Sequence, residues 1–254
     1  MSTTTEAPIP PKKSTSEKGH AVNVANLQEL IAFVTGLGTT YNPSKPSLKL
    51  AQLNTLVTNA NAHLANVINI NVAYNNMVNE RVSAFRTLKP LATRLINALD
   101  ITDATDAKVA DAKAYNKKIQ GPTARTRRKL AQATDTESTT ISTSQQSYDM
   151  QIQHFAGLIA TMQSEPSYAP NETDLKIAAL VAKHTDLIAK NKAVSSANAK
   201  INNARIARDT TLYAPDSGLV DTATEVKKYI KSIYGGTSPY FEQVKGIQFL
   251  KAKK

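Results

Sequence analysis

The sequence predicts an all-α protein, an elongated helical bundle that is built from a tandem duplication. Three observations support this class: the composition, the long segments without proline or glycine, and an internal repeat. Alanine, leucine, isoleucine and valine supply most of the apolar residues, whereas the 254-residue chain has only 9 glycines and no tryptophan. Such a composition favours helices over strands and tight turns.

The internal repeat appears when the chain is compared with itself at an offset of 127 residues. Tyr41-Asn-Pro43 returns as Tyr168-Ala-Pro170, and further identities follow over the next 40 or so positions. A repeat of this kind bears directly on the fold, because each copy forms a similar set of elements. The identical first-copy residues are Tyr41, Pro43, Leu48, Lys49, Ala51, Leu53, Thr58, Ala62, Val67, Asn71, Asn75, Asn76 and Arg81.

Each copy contains one long predicted helix. No proline or glycine interrupts residues 47–89, and the apolar residues there recur at steps of three and four. About 40 residues at ~1.5 Å each give a helix about 60 Å long. In the second copy the matching helix ends before Pro215 and Gly218. We expect Ser47 and Asp174 to cap these two helices, since their side chains accept bonds from backbone amides.

Shorter helices flank the long ones. Periodicity predicts opening helices over 23–37 and 148–163 and a short helix near 239–245. A segment over 107–119 either continues the closing helix of the first copy or starts a new one. The closing helices align once four residues are inserted in the second copy: Leu88, Ala92, Leu95 and Leu99 then match Leu219, Ala223, Val226 and Ile230.

The predicted organisation joins both repeats in one bundle with pseudo-twofold symmetry. A long helix cannot bury its apolar stripe alone, and pairing the two long helices is the simplest way to cover both stripes. The segments are a flexible polar tail (1–21), the first repeat (22–120), a polar and basic connector (121–147), the second repeat (148–235) and a C-terminal tail (236–254).

Composition and motifs exclude several functions. The chain has no cysteine, and its four histidines (His20, His63, His154 and His184) are isolated, so we predict no catalytic residue, metal site or cofactor. The first 20 residues lack the apolar core of a signal peptide, and no stretch of 18 apolar residues exists. We therefore expect a cytoplasmic protein by default, with signal-free export left open, and no membrane association.

Asparagine is concentrated on the first long helix. Pairs seven residues apart place side chains near one stripe, where amides either form a contact between subunits or a neutral solvated face. The aromatic C-terminal region offers further interface anchors, since tyrosine and phenylalanine are enriched at interfaces. The candidate interface residues are Asn59, Asn66, Asn69, Asn76, Tyr234, Tyr240 and Phe241.

The formal net charge of +11 favours anionic partners. Its densest cluster, Arg125, Arg127, Arg128 and Lys129, is a candidate contact for nucleic acid or another anionic surface. The cluster has no interleaved aromatic for base stacking. A second basic feature is repeated: Asn75-Asn76 with Arg81 returns as Asn202-Asn203 with Arg208, either as a structural network or as a small polar ligand site.

Several short motifs resemble a group of uncharacterised helical proteins from Bacteroidota-type bacteria. The motifs are Thr39-Thr-Tyr-Asn-Pro-Ser-Lys, Ser142-Thr-Ser-Gln-Gln-Ser-Tyr, Asn202-Asn-Ala-Arg-Ile-Ala-Arg and Gly218-Leu-Val-Asp with Val226-Lys-Lys-Tyr-Ile. The resemblance implies a bacterial source and a helical fold. It implies no activity, cofactor or site residue.

These observations predict a non-enzymatic structural protein that self-associates as a filament, a tube or another homomeric assembly. A duplicated rod presents two similar surfaces, which suits contacts that need not close into a ring. Two alternatives remain open. One is a basic protein that binds nucleic acid or an anionic surface through the central arginines. The other is a membrane-active helical protein, which is the least favoured because this sequence has no apolar hairpin.

Overall fold

The computed structural model describes residues 16–122 and 147–251. Regular structure in these ranges consists of α-helices and short 3-10 turns, which confirms the predicted all-α class. The helices are α1 (Ser16–Gly36), α2 (Leu50–Arg86), α3 (Leu88–Asp100), α4 (Asp106–Gln120), α5 (Tyr148–Gln163), α6 (Ile177–Tyr213), α7 (Leu219–Tyr234) and α8 (Pro239–Lys245).

Most helix bounds agree with the sequence pattern. Both long helices are unbroken and 37 residues long, and α5 and α8 have the predicted limits. The segment after α3 starts a new helix, α4, because the Thr105 side chain accepts a bond from the Lys108 amide and caps it. Helix α1 begins at Ser16, inside the predicted tail 1–21, and His20 is buried.

The predicted caps of the long helices are wrong. Ser47 lies inside the 3-10 turn Pro46–Leu48 and Asp174 inside the 3-10 turn Thr173–Leu175, so both precede the helix start by too many residues. The first helical bonds instead end at the carbonyls of Lys49 and Lys176, at 3.0 and 3.1 Å. The Asp174 carboxylate pairs with the Arg94 guanidinium, which lowers the pKa of Asp174.

The chain divides into two compact units that do not follow the predicted repeat boundaries. Unit 1 takes its residues from 1–71 and 200–254, and unit 2 from 72–199. Each unit therefore contains parts of both predicted repeats, and helices α2 and α6 each supply residues to both units. The single elongated bundle with pseudo-twofold symmetry stays a prediction.

The core of unit 1 lies among α1, the first part of α2, α7 and α8. Leu27 and Leu30 from α1 are fully buried, as are Leu53 from α2 and Val226 from α7. Val244 of α8 is also fully buried, which shows that the predicted C-terminal tail 236–254 contributes to the core. In α7, Leu219, Ala223, Val226 and Ile230 are all buried, as expected for the inward face of an amphipathic helix. Their alignment with residues of α3 as copies of one repeat stays a prediction.

The core of unit 2 lies among α3, α4, α5 and the adjoining parts of the long helices. Helix α3 buries Leu88, Ala92, Leu95 and Leu99, as the sequence alignment predicts. Helix α4 packs on both α3 and α5. At its contact with α5, the ring of Tyr115 lies directly over Gly157, where a larger residue has no room.

A buried tyrosine precedes each long helix. The Tyr41 hydroxyl donates to the Leu48 carbonyl at 2.7 Å, and the Tyr168 hydroxyl donates to the Leu175 carbonyl at 2.9 Å. In both cases the bond spans seven residues and holds the chain against the 3-10 turn. Burial raises the pKa of both tyrosines to about 12, helped by Tyr229 at Tyr41 and by Glu172 and Asp174 at Tyr168.

We expect Tyr41→Phe and Tyr168→Phe each to lower the free energy of unfolding by about 1 kcal/mol, because each leaves a buried carbonyl without its donor. The folded-state pKa lies above the ordinary value of 10.0, so the folded protein holds these protons more tightly. Stability therefore falls as pH rises from about 10 towards 12, and each variant reduces this fall. Urea unfolding at neutral and alkaline pH measures both effects. An unchanged alkaline loss in both variants would show that other groups cause it.

Candidate functional site

The candidate interface asparagines lie on the solvent-exposed side of α2. Asn59, Asn66, Asn69 and Asn76 are all exposed, so the amide-rich surface that the sequence predicts is accessible. Exposure alone fits both a subunit contact and a solvated face. The distinction depends on what surrounds the amides.

The surroundings of the asparagines carry no charge. From Leu50 to Asn79, helix α2 contains no aspartate, glutamate, lysine or arginine. Helix α6 has the same length and carries charged side chains throughout, among them Lys183, Asp186 and Lys190. The uncharged stretch can be read directly from the sequence, but the prediction from sequence used only its asparagines.

A stripe of exposed residues follows a heptad spacing along this uncharged stretch and just beyond it. The positions alternate in steps of four and three, the spacing at which one helix packs along another in a coiled coil. All lie on one continuous helix, and Ile68, Val72 and Val82 are 64%, 54% and 48% exposed. We name this set the α2 seam: Asn54, Thr58, Asn61, Ala65, Ile68, Val72, Asn75, Asn79 and Val82.

The α2 seam combines apolar and amide side chains on exposed positions of one helix. Branched apolar side chains occupy its middle, and amides lie on either side of them. The predicted residues Asn69 and Asn76 lie immediately beside seam positions Ile68 and Asn75. The four predicted asparagines lie on the same helix but are not members of the α2 seam, and the sequence prediction left out the apolar residues Ile68, Val72 and Val82. A role of α2 in subunit contacts stays a prediction.

The three candidate aromatic residues have different environments in unit 1. The Tyr234 hydroxyl bonds to the Thr40 hydroxyl at 2.7 Å, and its ring lies 4.5 Å from that of Tyr240. Phe241 packs against the core, and the ammonium of Lys231 lies 5.5 Å from its ring centroid. Tyr240 is 48% exposed and presents the largest accessible surface of the three. Tyr234 and Phe241 thus have packing roles within the unit.

The repeated arginines belong to different units. In unit 2, Arg81 donates to the Asn191 amide oxygen at 3.0 Å, and its guanidinium lies 4.1 Å from the ring centroid of Tyr148. In unit 1, Arg208 is buried and its Nε donates to Asp209 at 2.9 Å. These contacts are those of structural networks. The small polar ligand site that the sequence left open stays a prediction.

The candidate anion site Arg125, Arg127, Arg128 and Lys129 lies outside the described residues. Binding of nucleic acid or an anionic surface through this cluster stays a prediction.

Unit 2 has an open cleft beside the end of α3. Its lining includes Ile101, Asp103, Ser167 and Glu172. Both carboxylates are exposed to solvent, and the hydroxyl of the adjacent Tyr168 is already bonded to a backbone carbonyl. The cleft therefore presents no buried acid or base, and we assign no chemistry to it.

No protein-family model, curated protein or solved structure matches this chain. The resemblance to Bacteroidota-type helical proteins accordingly stays a prediction. None of the helices in residues 16–122 and 147–251 is both long and apolar enough to cross a lipid bilayer. The same ranges contain no group of three or more histidine, aspartate or glutamate side chains arranged to hold a metal ion.

Proposed function

We propose that this protein is a non-enzymatic structural protein that self-associates into a homomeric assembly, such as a filament or a tube, through the α2 seam. One observation carries the proposal: an exposed helical face has no charge over 30 residues and presents Ile68 and Val72 to solvent. A surface intended to stay in contact with water is designed with about a quarter to a third of its residues charged.

The electrostatics of the chain favour a second copy as the occupant of the α2 seam. Two copies that each carry a formal charge of +11 repel one another wherever basic side chains meet. The uncharged face of α2 is where copies approach at the least electrostatic cost. A strongly acidic partner would find no cation on this stretch to pair with. An identical neutral face needs no cation and can pack against it.

The chemistry of the α2 seam is self-complementary. Ile68, Val72 and Val82 lose water when they pack together, at roughly 25 cal/mol per Å² of apolar surface buried. Asparagine amides both donate and accept, so asparagines from two copies pair with one another and fix the register of the two helices. Paired amides thereby make the contact between two neutral helices specific for one register.

The proposal includes tandem duplication as the origin of the two long helices. In support, α2 and α6 have the same length, and their first and last residues are both offset by 127. The tyrosine hydrogen bonds before each helix are also offset by 127 at both partners. The absence of charge from Leu50 to Asn79 of α2, in contrast to α6, makes α2 the associating helix in this proposal.

Replacing Ile68 with lysine is expected to weaken self-association by about a hundredfold, because the seam then brings like charges into contact. The side chain is largely exposed, so the fold itself tolerates the change. Sedimentation velocity and light scattering over a range of protein concentrations measure the effect, and electron microscopy shows the form of the assembly.

Ile206→Lys is the matched control, since Ile206 lies on the equally long helix α6 and is 63% exposed. It adds the same charge to a face outside the α2 seam and is expected to leave association within about twofold of the unmodified chain. Equal loss in both variants would assign the effect to net charge and contradict the proposed surface. A strictly monomeric unmodified chain at every concentration would refute self-association itself.

A further inference from the structure

The C-terminal residues of the chain occupy a groove on unit 1. We name residues 236–251 the C-terminal arm; it consists of α8 and the extended segment that follows it. The Asn23 amide nitrogen donates to the Leu250 carbonyl at 2.8 Å, and the Leu250 amide donates to the Asn23 side-chain oxygen, also at 2.8 Å. Asn26 donates to the Gln248 carbonyl at 2.6 Å, and Lys227 donates to the Ile247 carbonyl.

These contacts recognise the main chain of the arm. An asparagine that bonds to both the N–H and the C=O of one residue matches the pattern of an adjacent strand. Asn23 has no exposed surface, and a buried amide is costly unless it is paired. The surface between α1 and α7 is therefore built to receive an extended peptide segment.

The C-terminal arm also buries apolar side chains. Val244 has no exposed surface, Ile247 is buried, and Phe249 packs beside Lys227, whose ammonium lies 5.3 Å from its ring centroid. An arm that left its groove would expose these side chains to water. It is thus stable only when it occupies a groove of this kind, in its own chain or in another.

The connection to the arm contains two adjacent glycines. Gly235 has a φ of 86°, in the left-handed region that glycine adopts readily, and a Cβ placed there would meet no atom within 4 Å. Gly236 follows at the first residue of the arm. The backbone can therefore change direction at this point without disturbing the packing of α7.

We infer that the C-terminal arm is exchanged between copies, so that the arm of one chain occupies the α1–α7 groove of a second copy. This inference rests on the self-association proposed above and names a contact that would link copies. Exchange replaces each intramolecular contact with the same contact from a neighbour, which makes it a low-cost route to association. Chains already held through their α2 seams present arm and groove at a high effective concentration.

Cysteine cross-linking tests the exchange, because the chain contains no cysteine of its own. A Cβ on Gly19 would lie 3.3 Å from the Leu250 Cδ1 atom, so Gly19→Cys and Leu250→Cys place the two thiols on positions whose side chains are neighbours. One variant carries only Gly19→Cys and the other, extended by a tag for size, only Leu250→Cys. The two are refolded together, oxidised and separated without reductant. We expect a mixed disulfide dimer that contains one chain of each kind.

Gly36→Cys in place of Gly19→Cys is the control, since it lies on the same helix at an exposed position with no neighbouring atom within 4 Å. We expect at least about tenfold less mixed dimer from it, the difference between specific docking and random collision. In the double variant Gly19→Cys, Leu250→Cys, an arm that docks in its own chain gives a monomer with an internal disulfide.

Two results would overturn the inference. One is a double variant that yields only internally linked monomer while the mixed single variants yield no dimer. The other is a double variant that forms no disulfide at all, which would contradict the docking of the arm. Light scattering on the same samples separates the two proposals: association without mixed dimer refutes arm exchange and leaves the α2 seam standing. Strict monomers refute both.

Discussion

Replacing Leu99 with alanine is expected to lower the free energy of unfolding by about 2–5 kcal/mol. Leu99 lies in the last turn of α3, has no exposed surface and belongs to the core of unit 2. Truncation removes its transfer free energy from water and leaves a cavity that neighbouring side chains fill only partly. Urea unfolding followed by far-ultraviolet circular dichroism measures the change.

Ile101→Ala provides a closely matched control for Leu99→Ala. Ile101 lies two residues further along the chain, directly after α3, and is 87% exposed. Its truncation is expected to change stability by no more than about 0.5 kcal/mol. If both substitutions cost the same, the inward orientation of α3 described above would be wrong.

Replacing Gly157 with valine is expected to cost about 3 kcal/mol, the upper end of the usual range for an overpacked core. A Cβ at this position would lie 2.3 Å from Tyr115 Cε1 and 2.5 Å from Cζ, far inside van der Waals contact. Either the Tyr115 ring or helix α4 would therefore have to move away from α5. Thermal unfolding monitored by calorimetry reports the loss.

A second substitution separates this clash from a general intolerance of valine. In a Tyr115→Ala background the obstructing ring is absent, so Gly157→Val should cost less than about 1 kcal/mol. Gly36→Val, at a position without neighbouring atoms, should cost about 0.5 kcal/mol or less. Equal cost with and without the Tyr115 ring would show that the tight contact between α4 and α5 is not the cause.

The helices could be predicted from the sequence because local signals define them. Proline and glycine positions and the spacing of apolar residues gave both long helices and the bounds of α5. The prediction of the caps was wrong, because serine and aspartate also occur inside short 3-10 turns, as Ser47 and Asp174 do. Residue type alone does not distinguish the two settings.

The candidate sites were less accessible to sequence reasoning. Asn23 gives no local sign of burial, because its partner Leu250 lies 227 residues away in the chain. Leu99 and Ile101 are similar in type and position, and only the end of α3 between them decides which is buried. The charge-free stretch of α2, in contrast, can be read from the sequence without any structure.

The division of the chain into units sets an order for its biosynthesis. Unit 2 is one continuous stretch, residues 72–199, whereas unit 1 takes residues from before and after that stretch. A nascent chain therefore contains every residue of unit 2 before the ribosome has translated α7. The core around α1 includes residues of α7 and α8, so it can be completed only after unit 2 and both of these helices have been translated.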